Sequence, residues 1–129
     1  MRVFKTKWFV RFARKEKIAN DKLITAIQEA ESGLNDGDLG GNLIKKRIAR
    51  TGAGKRGGYR TIIVYRAKTV AFFVYGFSKS EEDNISDTEL KEYQKLAQIL
   101  LNFKDADIEV ALGNNELKEA GYHDKEISE

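Results

Sequence analysis

The sequence predicts an α+β domain, a small mostly antiparallel sheet with helices packed on one side. Three observations carry that expectation. Two β-rich runs, YRTIIVYRA and VAFFVYGF, are separated only by Lys68 and Thr69, the spacing of a tight hairpin. Apolar residues recur at helical intervals before and after those runs. The resulting order, β-α-α-β-β-β-α and then a tail, groups strands together instead of alternating them with helices.

Each element has its own signal. Residues 2 to 5 read as a short first strand. A helix from about 6 to 17 follows, with Trp8, Phe9, Phe12 and Ala13 on its apolar side. A second helix spans about 21 to 32. Asn20 is its expected N-cap, Leu23, Ile24, Ile27 and Ala30 its stripe, and Gly33 its C′ residue. GLNDGDLGGN is dense in turn residues and reads as a loop. Strands are expected at 43 to 50, 59 to 67 and 70 to 77. The last two do not alternate strictly, so both faces of the sheet are at least partly covered. Ser86 and Glu89 form a capping box that opens a helix to about Phe103. A short helix at 105 to 112 and a fraying polar end complete the chain.

Composition narrows the function classes. Apolar residues make up 41% and charged residues 33% of 129, as in an ordinary folded domain. No apolar run reaches the ~18 residues of a membrane span, and MRVFKTKWFV lacks the features of a signal peptide. Cysteine is absent, which removes disulfides and thiolate chemistry and fits a cytoplasmic protein. Residues 105 to 129 carry eight acidic side chains against two lysines, a net of −6, so residues 1 to 104 hold +9. A body so basic expects a polyanionic partner. The chain accordingly divides into a domain at 1 to 104 and an acidic extension at 105 to 129, read first as a solvated C-terminal segment and, as a sharper alternative, as a segment that lies near the body and tempers its nonspecific binding of polyanions.

The positive charge is concentrated in KKRIARTGAGKRGGYR, residues 45 to 60, which holds seven basic residues, four glycines and no acid. A nucleotide P-loop is excluded: Ala49 stands where its first glycine belongs, Arg56 follows Lys55, and a strand succeeds the loop. A charged solvated hairpin would need only lysine, yet four arginines are present, and their planar forks suit phosphate. Lys45 and Arg47 lie on one strand face ~7 Å apart, a spacing matched to successive phosphates, and Tyr59 and Tyr75 add stacking surfaces.

The ordered motifs LIKKRIARTGAGKRGGYRTIIVYR and AFFVYGFSKSEEDNIS, followed by an amphipathic helix, resemble the RelE/ParE superfamily of type II toxins, HigB-like members above all. The resemblance implies a microbial-RNase-type fold and a cognate antitoxin protein. It further implies metal-independent, cofactor-free cleavage of mRNA in the ribosomal A site. The match carries the family's basic strand pair onto Lys45 and Arg47, its arginine after Gly-Gly onto Arg60, and its basic residue after the last strand onto Lys79. Ser80 and Ser86 replace an arginine and a tyrosine of the best-known RelE pattern.

The inventory agrees with charge-based chemistry. His123 is the single histidine and lies near the terminus, so a paired-histidine ribonuclease is excluded. Arg60 and Arg47 are assigned to the scissile phosphate with Lys45 assisting, and Lys79 to leaving-group protonation. Lys46, Arg50, Lys55, Arg56 and Tyr75 are assigned to RNA contact, with mRNA and ribosomal RNA as targets. Glu81 is a weak candidate base, because acids before a helix also answer its dipole. Two alternatives remain: a ParE-like DNA gyrase inhibitor, and a catalytically silent RNA- or antitoxin-binding module.

Overall fold

A computed structural model describes residues 1–50, 54–78 and 85–122, and of residues 54–57 and 122 only the backbone. The elements run β1 (Arg2–Thr6), α1 (Lys7–Glu16), α2 (Asn20–Glu31), β2 (Gly37–Gly40), β3 (Leu43–Arg50), β4 (Gly54–Arg66), β5 (Val70–Ser78), α3 (Asp87–Leu101), α4 (Asp105–Gly113) and β6 (Leu117–Tyr122). The six strands form one sheet in the order β2-β3-β4-β5-β1-β6. It is antiparallel except where β1 runs parallel to β5, Val3 opposite Ala71 and Phe4 opposite Phe72.

Local chemistry sets most boundaries. Thr6 closes β1 and caps α1, its hydroxyl accepting from the Phe9 amide. At the end of that helix Lys17 takes a left-handed conformation (φ 58°), and its amide reaches back to the carbonyls of Ala13 and Arg14. The expected Asn20 cap is not realised. Ala19 holds the N-cap position, and the Asn20 amide oxygen instead accepts from the Lys5 ammonium at 2.8 Å. Gly33 does occupy the left-handed position after the helix (φ 89°). The Ser86–Glu89 capping box forms in both directions, opening α3 as read.

Three expectations are corrected. The turn-rich segment before residue 43 contains strand β2, closed onto β3 by Gly41 and Asn42, both at positive φ. That pair matches the backbone a two-residue hairpin turn requires. The β4–β5 connection has three residues, Ala67 to Thr69, with Lys68 at φ 62°. The chain after the short helix, for which no strand is expected, adds a sixth strand. Leu117 to Tyr122 pair antiparallel with β1, and Leu117, Ile108 and Ala111 are buried.

The helices do not share one side of the sheet. α1 and α2 pack Phe9, Ala13, Leu23 and Ile27 against Ile44, Ile48, Ile63 and Phe73. Ala97, Leu100, Ile108 and Ala111 from α3 and α4 cover Leu43, Ile62, Val64 and Phe72 on the opposite face. The period-2 side-chain alternation of a strand explains it, since consecutive apolar residues such as Ile62, Ile63 and Val64 must face opposite ways and each needs a cover. A bulge in β5, between the partners of Ile62 and Ile63, shifts the register so that Tyr75 sits opposite Ile62.

Candidate nucleic-acid interface

Register decides which basic residues meet. On β3 and β4 Arg47 stands directly opposite Arg60, and Lys45 opposite Ile62. Across to β5, Arg60 faces Phe77 and Ile62 faces Tyr75. Lys45, Arg47, Arg60, Tyr75 and Phe77 therefore leave the sheet on the same face, that of α3, beyond the part of it covered by Leu100 and Ile108.

Arg60 is the unusual member. It is only 7% exposed, packed beside Phe77, and among the described residues its Nη1 is buried without a hydrogen-bond partner. A buried guanidinium nitrogen left unpaired costs free energy of about 1–3 kcal/mol or more, since the group is charged. Arg47 is more open, at 41% side-chain exposure. Its backbone amide donates to the Asp36 carboxylate at 2.7 Å, and its Nε stands 4.0 Å from the same group. Lys45 is half-buried beside Gly37. The arrangement is a partly shielded concentration of positive charge on two adjacent strands, β3 and β4, with the aromatic residues of β5 beside it.

The other predicted residues are dispersed. Lys46 points the opposite way, under α2. Its side chain is 3% exposed, and its ammonium pairs with Glu29 at 2.7 Å and approaches Asp36 at 3.9 Å. Period-2 alternation is the reason: a residue between Lys45 and Arg47 cannot share their face. Arg50 also faces the helical layer of α1, its guanidinium 5.4 Å from the centre of the Tyr59 ring and 3.9 Å from Glu16. Tyr75 is half-buried within an aromatic row, 4.6 Å from Trp8, 5.3 Å from Tyr93 and 5.9 Å from Phe77. Tyr59 is buried and donates to Glu16 at 2.9 Å, and burial followed by that bond pushes its phenol above the ordinary value. The side chains of Lys55 and Arg56, together with Lys79, Ser80, Glu81 and His123, lie outside the described residues.

Two contributors were not anticipated. Asp36 touches both Lys46 and Arg47 and aligns β3 for them; its location in a turn-rich stretch, NDGD, hid the role. Gly58 is packed so close to β3 that an added Cβ would lie 2.0 Å from the Ile48 carbonyl oxygen. Gly58 thus serves close packing of strand on strand.

A family model described as the RelE toxin of the RelE / RelB toxin-antitoxin system matches residues 1–120. The chain belongs to the RelE toxin family. A search of curated proteins finds no match. Membership in the RelE family assigns the chain the role of toxin and implies an antitoxin as its partner. The matched span runs beyond residue 104 through α4 and into β6, the segments that the fold joins to β1. Among the described residues no helix is long and apolar enough to cross a membrane.

Proposed function

We propose that this RelE-family toxin is a ribosome-dependent, metal-independent mRNA endonuclease of the HigB-like type, acting in the cytoplasm and neutralised by its cognate antitoxin. The observation that carries the reading is Arg60: a buried guanidinium whose Nη1 has no hydrogen-bond partner among the described residues, directly opposite Arg47 on one sheet face. A planar cation held in a protein wall, with no ion pair among the described residues, is suited to a phosphate, whose oxygens would satisfy it.

The chemistry follows from charge. The 2′-hydroxyl of the mRNA loses its proton to solvent water and its oxygen attacks phosphorus, the bond to the 5′-oxygen breaks, and a 2′,3′-cyclic phosphate and, once that oxygen is protonated, a 5′-hydroxyl result. Negative charge grows on the non-bridging oxygens as the new bond forms. Arg60 and Arg47 stabilise it, with Lys45 one step along β3 gripping the neighbouring phosphate. Lys79 is the proposed proton donor to the leaving oxygen. Because no residue of the cluster is an evident base, the reading assigns alignment of the 2′-hydroxyl to the ribosome-held mRNA.

Primer extension on a reporter mRNA in a purified translation system tests this, comparing wild type with Arg60→Gln. Removing one preorganised charge should lower the cleavage rate by about 10²–10³-fold. Cuts that need ribosomes, fall at A-site codons and disappear in folded Arg60→Gln are expected. No cleavage by folded wild-type protein with ribosomes present would overturn the proposal.

A further inference from the structure

The edge of the sheet beside the cation pair holds a carboxylate that the cleavage step above does not use. Asp36 immediately precedes β2, and its backbone amide donates to the Lys45 carbonyl at 2.9 Å. Its Oδ2 accepts from the Arg47 amide at 2.7 Å and lies 3.9 Å from the Lys46 ammonium. Its Oδ1 stands 4.0 Å from Arg47 Nε and takes no hydrogen bond among the described residues. One oxygen is thus anchored to the strand, and the other is left open beside the guanidinium. At 4.0 Å between part-exposed side chains the ion pair is loose, the kind that contributes little to stability.

Asp36 flanks Arg47 on the β2 side of β3, as Arg60 flanks it on the β4 side. Gly37, the next residue, is opposite Lys45, and a Cβ there would lie 3.7 Å from Lys45 Cε. The nearby acids are committed elsewhere. Asp38 accepts from the Gly40 amide at 2.9 Å, and Glu29 pairs with Lys46 on the other face of the sheet. Among the described residues Asp36 is the only carboxylate within 4.0 Å of a charged nitrogen of Lys45, Arg47 or Arg60.

We infer that Asp36 is the general base of the cleavage, taking the proton from the attacking 2′-hydroxyl. The inference rests on the RNA-cleaving reading above, which sends that proton to solvent water; Asp36 replaces solvent as the first acceptor. An arginine holding a non-bridging oxygen does so at about 2.8 Å, and the attacking 2′-oxygen waits ~3–3.5 Å from the same phosphorus. A carboxylate 4.0 Å from that arginine is therefore placed to reach the 2′-hydroxyl. The proton passes from the 2′-oxygen to Asp36 Oδ1 as the bond from that oxygen to phosphorus forms. The bond from phosphorus to the 5′-oxygen breaks, and the 5′-oxygen takes a proton from the Lys79 ammonium. Solvent then removes the proton from Asp36 and returns one to Lys79. Because Oδ2 is tied to the Arg47 amide, the acceptor and the phosphate ligand are held in one geometry.

The test is single-turnover cleavage of mRNA on programmed ribosomes from about pH 6 to 8, with wild type, Asp36→Asn and Asp36→Glu. Asparagine keeps an oxygen for the Arg47 amide but cannot take the proton, and circular dichroism melts check that each variant folds. Asp36→Asn should cleave about 10²–10⁴-fold more slowly near neutral pH. Its rate should rise about tenfold per pH unit, because hydroxide must then remove the proton, whereas wild type and Asp36→Glu should rise less steeply. An mRNA with a 2′-deoxynucleotide at the cut site, which has no hydroxyl to attack with, should bind wild type and Asp36→Asn equally. A wild-type rate and profile in Asp36→Asn would overturn the general base while leaving the nuclease reading intact. A loss of binding to the deoxy mRNA as large as the loss of rate would also overturn it, since Asp36 would then only position Arg47. If Asp36→Asn does not fold, Asp36→Ser, whose hydroxyl also accepts from an amide, carries the same comparison. If wild type itself does not cut, the nuclease reading falls and the inference with it.

Discussion

At the scale of single residues, adjacent lysines with the same chemistry receive opposite tasks. Lys45 leaves the sheet beside Arg47 and Arg60, whereas Lys46 is buried against Glu29. Lys46→Met should therefore lower stability by about 1–3 kcal/mol, because a buried charge pair loses one partner. It should leave the RNA affinity of the folded protein unchanged. Lys45→Met should weaken RNA binding and shift stability by no more than about 0.5 kcal/mol. Denaturant unfolding and RNA titration of both variants separate the two roles, and a loss of RNA affinity in folded Lys46→Met would contradict them. The run KKR announces a phosphate site in the sequence. Which of its members could serve depended on alternation, which puts neighbours on opposite faces.

At the scale of elements, the β3–β4 pair carries the site, and Gly58 sets how closely its strands approach. A methyl group there would meet the Ile48 carbonyl oxygen at 2.0 Å and the Arg50 amide nitrogen at 2.9 Å, both backbone atoms that cannot rotate away. Gly58→Ala should cost about 2–4 kcal/mol and displace Arg50 and Arg47, seen as a lowered Tm together with weakened RNA binding. A variant as stable as wild type would show that the hairpin accommodates the side chain. Helices were more legible than strands in the sequence. The capping box at Ser86 and the glycine after α2 were readable because their partners lie within four residues. β2 and β6 were missed, as short edge strands of polar and glycine residues carry little periodic signal and form only when a neighbour offers a ladder.

At the scale of the whole molecule, the acidic end is bound into the sheet. Arg2 of β1 grips Glu119 of β6 with two bonds of 2.9 Å and lies 3.5 Å from Glu109 of α4. Those bonds from Arg2, opposed by partial burial, hold the Glu119 carboxyl below its ordinary value. A carboxyl depressed on folding stabilises above its unfolded value of about 4.3 and loses that contribution as pH falls through the lower folded value. Wild type should thus exceed Glu119→Gln by about 0.5–1 kcal/mol at pH 7, the scale of a partly exposed pair. That gap should close on acidification below pH ~4; a gap independent of pH would show that the pair does not stabilise through its charge. Sequence alone determined the α+β class, the family resemblance over the motif-rich middle, and the basic character of residues 45 to 60, because composition and short-range spacing survive without a fold. Tertiary structure decided that helices cover both faces, that the last strand returns to the first, and that Arg60 stands opposite Arg47 while Lys46 is buried against Glu29. Those outcomes depend on register and on contacts between residues far apart in the chain, such as Arg2 and Glu119 or Tyr59 and Glu16, which no local pattern encodes.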